Sequence, residues 1–363
     1  MTTRECPTTT DGHASYASRV AALGLDAWTG EHEPLTDAPP PDRQAEPESM
    51  VVPVSTGVRI HYLDWGVAPT VAPAAATPGA TPRDAADRAL LLIPGISQTA
   101  WSWAPVARRL RAFARVLAID LRGHGLSEVP PDGYELESLA WDGLTVLAAN
   151  GFGDEVGGPP AVVAGHGFGG LVAATMATLQ PASVAGVALV DGGWEDVAEA
   201  TRLSASEFLA GLAEPPEVLR SIDAFLADRR GFDPGSWDAD QERAARAQVD
   251  QKPAGHVVMV SRPVAVRGLV DAMYAYRPQA ALVAVPCPLL VCLAVSGAAD
   301  DEAAHERALA LGDVLRARHA AGRTVDRVAR FPGWGHNLMR YRPAEVAAEM
   351  VMLTRIAAEC ASA

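Results

Sequence analysis

Chemistry-bearing side chains in this sequence gather in four short, glycine-rich runs. Ala164-Gly165-His166-Gly167-Phe168-Gly169-Gly170 follows the apolar stretch Ala161-Val162-Val163 and precedes a helix-like stretch over 171–180, so it reads as strand, sharp turn, helix. Asp120-Leu121-Arg122-Gly123-His124-Gly125-Leu126-Ser127, Gly297-Ala298-Ala299-Asp300 and Gly333-Trp334-Gly335-His336 each place an ionisable group beside glycines just after an apolar run. Histidine can take and return a proton near neutral pH. At the tip of the first run, however, Gly167 brings nothing beyond backbone. Other chemistries lack their residues. Cys6, Cys287, Cys292 and Cys360 have no zinc-like spacing and read as buried or incidental thiols. The glycines of 165–170 lack the acidic partner of a dinucleotide fingerprint, and there is no phosphate-binding glycine loop, so neither a metal nor a cofactor is expected.

The chain must position these runs, and its composition allows it. With 363 residues, 49% of them hydrophobic and 20% charged, it can bury a large core as one big α/β domain with an insertion or as two ordinary domains. The longest apolar run, 161–179, has the length of a membrane span but carries a histidine and four glycines, and reads as buried strand plus helix. The N-terminus has no apolar signal-peptide core, which leads to the expectation of a cytoplasmic protein. A net charge of −14 disfavours nucleic acids and anionic membranes as partners, because both are polyanions. Residues 1–50 hold −6 of that charge, with Pro39-Pro40-Pro41 and few large apolar residues, and are expected to be mostly disordered with a short helix near 16–25.

From Val51 onward, element signals alternate. Residues 51–55 and 59–65 read as strands joined at Gly57, and 69–88 as an exposed loop insertion rich in alanine, proline and threonine. Apolar strands at 90–93, 114–119, 161–164 and 184–190 alternate with helical patterns at 101–111, 136–150 and 168–180. Such alternation implies a parallel sheet covered on both faces. Residues 192–285 break the rhythm with helical patterns and no clear strand. The alternation resumes with a strand at 289–295, a helix at 302–319, a strand at 327–331 and a last helix at 344–358.

The order of these elements, together with the four runs and Ile93-Pro94-Gly95-Ile96, resembles the α/β-hydrolase superfamily over about 51–358. The resemblance implies a mostly parallel eight-stranded sheet with helices on both faces, a core from 51–191 and 286–363, and a helical cap inserted at 192–285. It assigns the acid to Asp300 and the catalytic histidine to His336, which the acid holds in one tautomer. It assigns the oxyanion hole to the backbone N–H groups of Ile96 and Phe168. Asp191, at the end of the strand 184–190, is where some members place their acid, or a residue capping the next turn. Asp120 and His124 are expected to hold their own turn in shape. Pro94 stands where the family usually has histidine.

The departure that matters is Gly167, because the family's turn reads G-x-S-x-G with the serine as nucleophile. A non-glycine residue holds that backbone at a cost of about 1–3 kcal/mol, whereas glycine adopts it freely. The turn should therefore survive while acyl-enzyme chemistry is lost. His166 reads as a buried hydrogen-bonding group or a substrate contact, Ser97 as a substrate contact or a loop hydrogen bond, and Trp101 and Trp103 as the pocket mouth or helix packing. His256, Met259 and Tyr274 could reach the pocket from the cap. Three readings follow: an enzyme using a His336–Asp300 dyad on a small carbonyl compound such as an ester, lactone or diketone; a ligand-binding protein of the same fold; or a serine hydrolase whose nucleophile was replaced.

Overall fold

A computed structural model describes residues 38–68, 87–295, 302–323 and 326–362. The segment read as a short N-terminal helix and residues 69–86 of the loop insertion read at 69–88 therefore lie outside the described residues, as does Asp300.

Eight strands form one sheet: β1 (Glu48–Pro53), β2 (Arg59–Gly66), β3 (Ala89–Ile93), β4 (Arg115–Ile119), β5 (Ala161–His166), β6 (Val184–Val190), β9 (Leu289–Val295) and β10 (Asp326–Pro332). Their order is β1-β2-β4-β3-β5-β6-β9-β10. The β1–β2 hairpin turns at Gly57, whose φ of 85° favours glycine. β2 runs antiparallel to β4, and all later neighbours are parallel, as the continuous apolar runs predict. β3 shows why. Leu91 and Ile93 enter one core layer, while Leu90 and Leu92 enter the other, and all four are fully buried.

The first layer packs under α2 (Leu136–Ala149) and α3 (Phe168–Leu179), and the second under α1 (Ala104–Leu110) and α12 (Pro343–Ser362). Between β6 and β9 the chain forms α4 (Val197–Thr201), α5 (Ala205–Gly211), α6 (Ile222–Gly231), α7 (Ala239–Arg246), α8 (Pro263–Ala275) and α9 (Pro278–Ala284). A small core of Val218, Phe225, Ala245, Val249 and Val257 sits in this insertion. One expectation is corrected there: β7 (Val249–Gln251) and β8 (Val257–Met259) pair antiparallel. Each has only three residues, too few for a period to show. Between β9 and β10 lies α10 (Glu302–Ala320), and α11 (Leu338–Tyr341) precedes α12.

Of residues 1–50, expected to be mostly disordered, 38–50 are described and lead into β1. Buried Arg108 on α1 donates to the carbonyls of Asp42, Arg43 and Ala45, pairs with Glu46, and contacts Asp240 of α7 at 3.0 Å. One guanidinium thus joins the N-terminal segment and the insertion to the sheet. A second, Arg122, lies 2.7 and 2.6 Å from the two carboxylate oxygens of Asp142, both side chains almost wholly buried. Removing one partner of such a pair leaves an uncompensated charge in the core. Arg122→Ala should therefore lower the unfolding free energy by about 3–5 kcal/mol in urea titration. Arg122→Met combined with Asp142→Leu should recover most of that loss.

Candidate active site

β5 ends at His166, Gly167 makes the turn, and α3 starts at Phe168. Gly167 has φ 51° and ψ −117°, a conformation that L side chains rarely adopt. Its N–H donates to Val190 O at 3.0 Å, and its carbonyl accepts from Gly170 N at 3.0 Å. Close packing explains the flanking glycines: a Cβ on Gly165 would lie 2.0 Å from the Gly169 carbonyl, and one on Gly169 would lie 2.4 Å from Ile93 O.

The loop after β10 carries His336 to this turn. A Cβ on Gly167 would lie 3.2 Å from His336 Nε2. His336 Nδ1 donates to Asp191 Oδ2 at 2.7 Å, which turns Nε2 toward Gly167. His336 Nδ1 thus has Asp191 as its partner, whereas Asp300, the acid expected there, lies outside the described residues. Asp191 is the first residue after β6, and its other oxygen accepts from Ala294 N of β9 at 2.9 Å and from Arg307 Nη2 of α10 at 3.0 Å. Burial pushes its carboxyl pKa up, but the bonds from His336 and Arg307 outweigh that and hold it below the ordinary value. Arg307 Nε also donates to Glu195 at 2.9 Å.

Beside this pair lies a cavity of about 860 Å³ whose lining includes Ile96, His166, Gly167, Phe168, Asp191 and His336. Neither the Ile96 nor the Phe168 backbone N–H donates to another described residue outside the cavity. Phe168 opens α3, so its N–H is one of the helix's unpaired N-terminal donors. The loop that carries Ile96 is held from below. His124 Nδ1 donates to Arg122 O and its Nε2 accepts from Ser97 N, both at 3.2 Å, while Asp120 accepts from Ala100 N at 2.7 Å and from Leu126 N at 3.0 Å. Asp120 and His124 therefore brace the loop after β3 as well as their own turn.

His166 is buried against the cavity, its ring centroid 4.3 Å from that of His336. Its Nδ1 faces Gln98 Oε1 at 2.9 Å and its Nε2 faces the His336 carbonyl at 3.0 Å. Gln98 in turn donates to Asn337 Oδ1 at 2.9 Å. Gln98, Asn337 and Arg307 carry no motif signal and were not singled out by sequence reasoning. Asp191 did carry one, in the glycine pair that follows it: a Cβ on Gly192 would lie 2.7 Å from Gly167 Cα.

Ser97 and Trp101, each read as a substrate contact or a structural residue, do not line this cavity. Ser97 takes φ 63° to close its loop, and it does not line the cavity among the described residues. Trp101 packs edge-on to Trp65 at 5.9 Å under the Arg243 guanidinium and also lies off the cavity. Trp103 is buried in the core. From the insertion, Tyr274 spends its hydroxyl on Leu203 O, Met259 packs on the small core, and His256 does not line the cavity.

The family model of the alpha/beta hydrolase family matches residues 90–349. The chain belongs to that family. Among curated proteins it is 27% identical to bifunctional epoxide hydrolase 2 of Mus musculus over 226 residues, 60% of this chain and 33% of that protein. It is 30% identical to 2-(acetamidomethylene)succinate hydrolase of Mesorhizobium japonicum over 143 residues, 39% of this chain and 48% of that one. The chain thus spans about a third of the length of the epoxide hydrolase it matches. In structure, it resembles E-2-(acetamidomethylene)succinate hydrolase with a TM-score of 0.63 at 21% identity, covering 85% of this chain and 99% of the other. It also resembles the thioesterase domain from the curacin biosynthetic pathway, with a TM-score of 0.58 at 18% identity, covering 84% and 99%. Among the described residues of this hydrolase-family chain, no helix is long and apolar enough to cross a membrane, and no cluster could hold a metal ion.

Burial, followed by the neighbouring His336, pushes the His166 pKa down from 6.5 to about 3. Between those values the unfolded chain binds a proton that the folded chain refuses, so stability falls as pH falls through that window. The slope from this one residue approaches about 1.4 kcal/mol per pH unit. Urea titrations of His166→Gln across the same window should show a shallower decline than the parent protein.

Proposed function

We propose that this protein hydrolyses a small organic carbonyl compound, an ester or lactone foremost, by general-base activation of water without an acyl-enzyme. The observation that carries this reading is the placement of His336 Nε2, 3.2 Å from where a Gly167 Cβ would be, with Nδ1 held by Asp191. Gly167 then occupies the nucleophile's position and leaves room there for the attacking water.

The step balances with the residues at hand. Water attacks the carbonyl carbon as its proton passes to His336 Nε2, and Asp191 stabilises the imidazolium that forms. The carbonyl π electrons move to oxygen, where the Ile96 and Phe168 N–H groups receive the charge. As the tetrahedral intermediate collapses, the bond to the leaving oxygen breaks and His336 returns its proton to that oxygen. The relatives named as hydrolases of an epoxide and of an acetamidomethylene succinate support hydrolysis as the reaction class.

Activity is to be screened on an ester and lactone panel, followed by kinetics of the best substrate. His336→Ala should lower kcat/KM by about 10²–10⁴-fold. Gly167→Ser should acquire fluorophosphonate labelling that the parent protein lacks, at a stability cost of about 1–3 kcal/mol for the strained serine. Turnover indifferent to His336→Ala would overturn the proposal in favour of a binding role.

A further inference from the structure

A second cavity of about 280 Å³ meets the first at a single hydrogen-bonded pair. Gln98 and Asn337 are the residues that line both, and Gln98 Nε2 donates to Asn337 Oδ1 across that wall at 2.9 Å. The pair's place in the chain matters. Gln98 lies two residues beyond Ile96, and Asn337 directly follows His336. The second cavity therefore opens beside the group that must deliver a proton to a departing oxygen.

Its lining has a definite chemistry. The charged groups are already spent: Arg229 pairs with Glu214 and Asp228, and Arg340 donates to Ser236 Oγ, Asp233 O and Arg229 O at 2.8, 2.9 and 3.2 Å. What is left is uncharged, with Ser102, Gln241 and Gln248 as polar members beside apolar Phe232, Ala244, Ala245 and Met339. Ser102 Oγ is buried with no hydrogen-bond partner, and the side chains of Gln241 and Gln248 make no hydrogen bond to another described residue. Trp237 and Tyr341 supply half-buried aromatic walls. The larger cavity differs, with Leu171, Phe208, Leu212 and Met273 in its lining. An apolar chain suits the large cavity, whereas a group with several donors and acceptors and no charge suits the small one.

We propose that the second cavity is a subsite for a hydroxylated leaving alcohol, so that the substrate is an ester of a polyol with an apolar acid, straddling the Gln98–Asn337 pair. This rests on the hydrolytic reading for the identity of the leaving group, whereas the preference for hydroxyls is a property of the cavity itself.

The test is calorimetric binding of two slowly reacting analogues to the full chain: the glyceryl amide and the propyl amide of hexanoic acid. The glyceryl amide should bind about tenfold or more tightly than the propyl amide, because unpaired polar groups in a site discriminate against a ligand lacking hydroxyls. A Gln241→Leu/Gln248→Leu double variant should lose most of that preference while still binding the propyl amide. Equal affinities in the parent protein, or a preference that survives the double variant, would overturn the subsite. If neither amide binds, the carbonyl site fails together with the subsite. If the preference holds but ester turnover ignores His336→Ala, the hydrolytic reading fails and the polyol-binding cavity stands.

Discussion

The hydrogen bond between His336 and Asp191 is the constraint around which this end of the sheet is arranged. It joins the loop after β10 to the first residue after β6, and both must reach the turn that ends β5. Asp191 adopts φ 50°, a conformation that costs a non-glycine residue about 1–3 kcal/mol. Its bonds to Ala294 and Arg307 offset that cost and fix Oδ1, while His336 holds Oδ2. Approach is close because the backbone is bare: Gly192 lies against Gly167, where any side chain would collide with the turn.

Within that arrangement, the absent side chain at Gly167 has two consequences of opposite kind. It relieves the strain that a φ of 51° imposes on other residues. It also leaves the turn without a side-chain atom, while the backbone N–H groups of Ile96 and Phe168 do not depend on that side chain. His336 Nε2 consequently faces the Gly167 backbone with no side chain between them. Its partner ring, His166, ties the histidine loop to the loop after β3 through Gln98, so His336 and the loop that carries Ile96 share a support.

Sequence reasoning read the sheet well because buried parallel strands are continuous apolar runs; β3 and β5 contain only buried residues. It located Gly167 and His336 because sharp turns demand glycines at fixed offsets. Asp191 and Asp300 were both open to it, and the spacing of Gly297-Ala298-Ala299-Asp300 drew the assignment to Asp300, which lies outside the described residues. That Asp191 reaches His336 follows from β6 adjoining β5, a fact of topology that no local pattern carries. Trp101 illustrates the same limit. An aromatic residue at a helix start suits a pocket mouth or a packed interface equally, and Trp65 and Arg243, distant in sequence, decided it. Arg108 likewise holds residues before Val51 through contacts that composition alone cannot foresee.

The central claim is that chemistry here proceeds with His336 and without a covalent intermediate at Gly167. The most direct measurement is rapid-quench kinetics of the parent protein with a chromogenic ester, paired with intact-protein mass spectrometry at early times. The account predicts linear product release from the first turnover and no acyl adduct at any time point. A burst of product equal to the enzyme concentration, accompanied by an acylated protein, would contradict it.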